Sequence, residues 1–302
     1  VSNHSKDIFE NSNFTGVNEA TKQEVQLVLT TPIHSVNYPV KSYETLPELD
    51  LELDYDFNFL AVAQWGPRKN IPNTVKWFIE EFKDEEVGLV VKTNMAKNCY
   101  MDREGTFHQI KAFVSQVNKE RTCKVYLLHG DMTDEEMHSL YKHSKIKSLL
   151  ALPHGEGFGL PIFEAAYIEL PVVATGWSGQ LDFLVDGGGK DCFYNVAFDI
   201  QPIPAEVEWE GVLIKESMWA YPREQSAKEK MRMCYNDVLA GTENLGSDRA
   251  KKLTARLEEE FSSEIKYKEF CNVISEEEAL EIENWLLGLQ DDDESSEIVE
   301  YE

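Results

Sequence analysis

The sequence contains no run of 18 successive apolar residues, so no segment reads as a membrane-spanning helix. Its first residues carry no basic-then-apolar segment, so no secretory signal is visible and the expectation is a cytoplasmic chain. Basic residues are scarce: 29 Lys and Arg stand against 55 Asp and Glu, a formal charge of −26. That balance argues against nucleic acid or an anionic membrane as the main partner, since both require a positive surface. No Cys-x-x-Cys occurs, and the five cysteines, at 99, 123, 192, 234 and 271, are odd in number and widely separated. The expectation is reduced, mostly buried thiols. No internal repeat is visible.

What is present supports a folded α/β protein. The 302 residues allow one large domain or two ordinary ones, and 42% hydrophobic with 11% aromatic residues can build a sizeable core. The acid is unevenly spread. Residues 276–302 hold 12 acids and no base, and without them the charge is near −14. The end at 291–302 reads as a solvated, disordered acidic tail; it lacks the spaced Asp/Asn and turn Gly of a calcium loop. The chain begins with Val, which suggests a fragment or a processed product.

From residue 57 onward, short apolar runs alternate with amphipathic ones. The apolar runs are 57–63, 87–91, 124–128, 148–152 and 171–175. They are apolar on successive residues, as in strands buried on both faces, which predicts a parallel sheet with helices on each side. Pro72 suits a first helical turn, with Val75, Phe78, Ile79 and Phe82 on one face. Phe107, Ile110 and Val114 form a second stripe. Thr133 to Glu136 reads as a capping box ahead of Met137, Leu140 and Tyr141. The fold class is therefore a doubly wound α/β sheet with C-terminal helices, and ligands are expected at the carboxyl ends of its strands. Residues 1–56 do not repeat this unit: one helix, two extended pieces (25–29 and 33–40) and an acidic link at 45–56 are expected. The division is 1–56, 57–245, C-terminal helices over 246–290 and the tail 291–302.

The most informative stretch is His154-Gly-Glu156-Gly157-Phe158-Gly159-Leu160-Pro161-Ile-Phe-Glu164. It follows the fourth strand. Gly157 and Gly159 let the backbone approach a ligand, and Pro161 opens a helix. The free N–H groups of Phe158, Gly159 and Leu160 would then form an anion site. Glu156 lies before that helix and Glu164 about one turn into it, an arrangement that fits a diphosphate flanked by two hydroxyl-bearing groups. Two glutamates eight apart carry little weight alone, and a strand–turn–helix can be mere connection. The whole string, EGFGLPIFEAA followed by a strand and TGWSGQLDFL, carries more.

This string resembles the signature of retaining glycosyltransferases of family 4, which have two facing Rossmann-like domains (the GT-B fold). The resemblance covers most of the chain, including LAVAQWGPRKNIP and the run from VYLLHGDMTDEEM to VVATGWSG. It implies a nucleotide-sugar donor, UDP- or GDP-linked, and transfer of a hexose without a metal or other cofactor. No Asp-x-Asp pattern suited to a metal is seen. At matching positions, Glu164 would hold the ribose hydroxyls and Glu156 would contact the donor sugar. The backbone of Gly157, Phe158, Gly159 and Leu160 would bind sugar and diphosphate, and Arg68 and Lys69 would neutralise the diphosphate. Many relatives carry an earlier Gly-Arg where this chain has Gln64-Trp65, so Arg68 and Lys69 would act alone; the other reading of the pair is a solvated turn. Lys92 could reach a phosphate or be a surface lysine. Asp131 and Met132, with Gly130, lie where relatives bind the base through backbone atoms. His154 reads as structural, Asp182 as a helix cap or a supporting residue, and 187–189 as a loop.

Only about 55 residues precede the donor domain. The family's acceptor domain is therefore expected to be mostly absent. Three readings follow: an enzyme with an unknown acceptor, a donor-binding module inactive alone, or an interaction protein that has kept the fold.

Overall fold

The computed structural model describes residues 1–118, 120–241 and 245–274. The part of the expected C-terminal helices beyond 274 and the acidic tail at 291–302 lie outside the described residues. In chain order, helix α1 (Asn3–Asn11) is followed by an antiparallel hairpin of β1 (Asn13–Val17) and β2 (Glu24–Val28). The alternating region then runs β3 (Asn58–Val62), α2 (Ile71–Phe82), β4 (Gly88–Lys92), α3 (Tyr100–Val117), β5 (Lys124–Leu128) and α4 (Asp134–Lys142). It continues with β6 (Ile146–Ala151), α5 (Leu160–Ala166), β7 (Val172–Thr175), the single turn α6 (Leu181–Leu184) and β8 (Tyr194–Val196). A second hairpin of β9 (Phe198–Pro202) and β10 (Met218–Pro222) precedes α7 (Glu224–Leu239), α8 (Leu245–Glu260) and α9 (Ser263–Val273).

Six strands form one parallel sheet in the order β5-β4-β3-β6-β7-β8. The five expected runs are all in it, and β8 is a sixth that three residues made hard to read. Successive strand residues face opposite layers. Phe59 and Ala61 pack with α2, α3 and α7, while Leu60 packs with α4, α5 and α8. Both faces are covered, so the strands are apolar throughout rather than alternating. Crossovers on both faces make the fold a doubly wound, Rossmann-like α/β sheet.

Local signals hold in most places. Val75, Phe78, Ile79 and Phe82 of α2 are all fully buried. Thr133 and Glu136 form the expected reciprocal cap of α4. In α3 the buried stripe is Thr106, Ile110 and Val114; Phe107 points outward, with the Lys111 ammonium over its ring. The piece 33–40 pairs with no strand among the described residues. The acidic link at 45–56 is not loose: Leu53 is buried and Ser139 Oγ donates to the Pro47 carbonyl at 2.7 Å. All five cysteines are free, but only Cys123 and Cys234 are buried, which corrects the expectation of mostly buried thiols; Cys99 and Cys271 are exposed.

Candidate functional site

The chain moves outward from β3 through β4 to β5, then returns to β6 on the other side of β3. At such a reversal the loops leaving the two neighbours diverge and open a crevice at the strands' carboxyl ends. The loop after β3 carries Arg68 and Lys69, and the loop after β6 carries His154 to Gly159.

These two loops are bonded to each other. Arg68 Nη1 lies 3.0 Å from Glu156 Oε2, and Lys69 Nζ lies 2.5 Å from Glu156 Oε1. The Glu156 side chain is only 11% exposed, so two cations clamp a nearly buried carboxylate. The Arg68 guanidinium also donates to the Gly155 carbonyl, and the Arg68 carbonyl accepts the His154 N–H at 2.8 Å. From beneath, Ser178 Oγ accepts the Glu156 N–H at 2.8 Å, and the Gly179 N–H donates to the Glu156 carbonyl at 3.0 Å. Gly179 fits there because a Cβ would stand 2.1 Å from the Gly157 carbonyl oxygen.

Gly159 caps α5 with φ 93°, a left-handed conformation that glycine adopts without strain. Pro161 follows in the first turn. Among the described residues, the N–H groups of Gly157, Phe158, Gly159 and Leu160 donate to no protein acceptor. Free amides at a helix start carry partial positive charge and favour an anion. The Phe158 side chain is buried among Tyr38, Phe163 and Phe183, so only its backbone is on offer. Leu160 is exposed.

Glu164 stands four residues into α5, about 6 Å along the axis at the usual helical rise. Its Oε2 accepts the Tyr141 hydroxyl at 3.0 Å. Burial raises the Glu164 carboxyl, opposed by that hydrogen bond and by Lys41. Lys92, Asp131 and Met132 lie further out, at the ends of β4 and β5. Lys92 Nζ donates to the Gly130 carbonyl at 2.5 Å and so braces the loop after β5. Burial lowers the Lys92 pKa, and the Asp131 charge opposes this. Asp131 is exposed, while Met132 packs against the layer of α4 and α5. The structure thus gathers Arg68, Lys69, Glu156 and the four amides in one place. Glu164 sits one turn on, Lys92 ends β4, one strand from β3, and Asp131 and Met132 follow β5, two strands from β3.

Several residues beside this cleft were not foreseen. A cavity of about 310 Å³ opens beside Glu156 and Arg68, walled by Trp177 and Trp219 and by His4 and Ser5 of α1. Trp177 lies against Gly155 so closely that a Cβ there would meet its ring at 2.7 Å. Only long-range packing reveals this; TGWSG reads locally as a turn. The His154 ring stacks on Trp219 with centroids 5.4 Å apart, its Nδ1 is 2.9 Å from the Ala220 carbonyl, and it also lines that cavity. Asp182 accepts the Asn3 N–H at 2.8 Å and the Asn37 amide at 3.0 Å, tying the N-terminal segment to the sheet. Residues 187–189 form a turn. Among the described residues no group of three or more His, Cys, Asp or Glu side chains converges to hold a metal, and no helix is long and apolar enough to cross a membrane.

Comparison with known proteins places this architecture among the Rossmann-like domains of GT-B glycosyltransferases. Similar solved structures include Anabaena Alr3699/HepE in complex with UDP and glucose (13% identity, 72% of this chain and 48% of that chain, TM-score 0.50). A glycosyltransferase from Rickettsia africae ESF-5 is similar at 11% identity, over 73% of this chain and 47% of that one, with TM-score 0.51. The α,α-trehalose 6-phosphate synthase of Burkholderia multivorans is similar at 10% identity, over 76% and 44%, with TM-score 0.52. At these identities the likeness is one of fold, and this chain spans less than half the length of each. Residues 54–194 match the family model of glycosyl transferases, group 1. Over that stretch, just under half of its length, the chain is similar to that family. A search of curated proteins finds no match.

Proposed function

We propose that this chain binds a nucleotide sugar, UDP- or GDP-linked, and is the donor half of a metal-independent, retaining family 4 hexosyltransferase acting in the cytoplasm. The observation that supports this most is the convergence of Arg68, Lys69, Glu156 and the free amides of 157–160 where β3 and β6 diverge. A diphosphate placed there meets two side-chain cations and a helix start. As the bond to the sugar breaks, the departing nucleoside diphosphate gains negative charge, and fixed cations and amides lower that barrier. Both cations rest on Glu156, and a diphosphate bound there shares them. Glu156 is then positioned toward the sugar, which fits the adjoining cavity walled by Trp177. Glu164, one turn on, takes the ribose hydroxyls, and the backbone at Asp131 and Met132 faces the base. On this reading residues 57–245 are the donor domain and 1–56 belong to an acceptor side.

A ligand that binds only the folded state stabilises it, by about 2.7 kcal/mol at a hundred times its Kd. UDP or GDP is therefore expected to raise the melting temperature, and Lys69→Ala and Glu164→Ala each to remove most of that rise. If both variants respond as the parent does, the site is misassigned. A second reading, a donor-binding module that does not turn over alone, is separated from the first by measuring donor hydrolysis and transfer by the isolated chain.

A further inference from the structure

Outside the cleft, a dense polar cluster is centred on Asp102, in the first turn of α3. Its Oδ1 accepts the Met95 N–H (3.1 Å), the Thr106 hydroxyl (3.2 Å) and His129 Nε2 (2.8 Å). Its Oδ2 accepts the N–H groups of Ala96 (2.7 Å) and Lys97 (3.0 Å). The two side chains are nearly enclosed, at 8% exposure for Asp102 and 4% for His129. The His129 bond, followed by the backbone amides, holds the Asp102 carboxyl far below the usual carboxylate range, so it acts only as an acceptor and Nε2 carries the proton.

This cluster joins three loops at one edge of the sheet. His129 directly follows β5 and precedes Gly130–Met132. Residues 93–99 leave β4, and they also reach the loop after β3: the Trp65 N–H donates to the Asn94 carbonyl at 2.8 Å, and Gln64 Nε2 to the Met95 carbonyl at 3.2 Å. The latter loop continues into Arg68 and Lys69. Asn98 packs on Gly130, where a Cβ would stand 3.4 Å from its Oδ1. The tie thus spans from the diphosphate-facing loop to β5, two strands or about 10 Å away at the usual spacing.

We propose that the Asp102–His129 pair positions the nucleoside subsite. It fixes the loops after β4 and β5 against the loop after β3, while Arg68, Lys69 and the α5 amides hold the diphosphate independently. This rests on the nucleotide-sugar reading above. It assigns the pair to one part of the ligand, which a general structural role would not do.

The test is titration calorimetry of the full chain with UDP, GDP and inorganic pyrophosphate. Asp102→Asn puts an N–H donor among donors, and His129→Ala removes the bond. Both are expected to weaken binding of the preferred nucleotide by about tenfold or more and that of pyrophosphate by no more than about twofold. His129→Gln, which can still donate, is expected to restore the nucleotide-to-pyrophosphate ratio. Melting curves establish that each variant folds; should Asp102→Asn not fold, the two His129 variants carry the comparison. Equal losses for both ligands, or no loss for either, overturn the proposal. So does a parent that binds pyrophosphate as tightly as nucleotide, with the diphosphate site then left standing. A parent that binds neither overturns the functional reading itself.

Discussion

Glu164 is a side chain whose burial is costly to the fold. Its carboxyl is raised above its ordinary value of 4.5, chiefly by burial. A group raised in this way loses stability for the folded state as pH climbs from its unfolded pKa through its folded one, because ionisation is then harder in the folded state. Glu164→Gln keeps an oxygen for the Tyr141 hydroxyl and removes that cost. The expectation is an unchanged or higher melting temperature at neutral pH together with weaker nucleotide binding; a lower melting temperature would contradict the burial argument. The candidate residues were legible unevenly. Arg68, Lys69, Glu156 and Glu164 stand out because motif and position coincide. Trp177, Asp102 and His129 did not, because the contacts that single them out are with partners far away in sequence.

Among the elements, α5 is not self-sufficient: at seven residues it is too short to hold itself in water. Tertiary packing of Ile162, Phe163, Ala165 and Ala166 keeps it in place, so the amides at its start are aimed by the core. Helix α4 is anchored differently, by its reciprocal cap. Thr133→Ala removes the hydroxyl that accepts the Glu136 N–H, and unfolding experiments are expected to show a loss of about 1 kcal/mol. That cap was readable because its partners are three residues apart. The stripe on α3 was misread at Phe107 because apolar spacing does not tell which of two adjacent faces meets the sheet. Strand β8 and the β9–β10 hairpin were missed because a three-residue strand carries little pattern and the hairpin strands are partly exposed.

At the scale of the molecule, the layers were legible and the strand order was not. Apolar runs buried on both sides announce a covered parallel sheet, but neighbours in a sheet are chosen by packing that no local window contains. Burial now predicts where the fold opens first. Hydrogen exchange is expected to be slowest in β3, β4, β6 and β7, and faster by orders of magnitude in the β1–β2 hairpin, whose strand residues are nearly all exposed. Equal protection in the two regions would contradict this. The pairing of β3 with β6 has a consequence for folding order. The charged clamp bridges chain segments more than 80 residues apart, so no stretch of polypeptide ending before β6 can assemble it, whatever helices it has already made. Loop closure on that scale is slow. A newly synthesised copy would thus gain any affinity for a polyphosphate late and abruptly, making ligand capture a reporter of finished topology rather than of compaction.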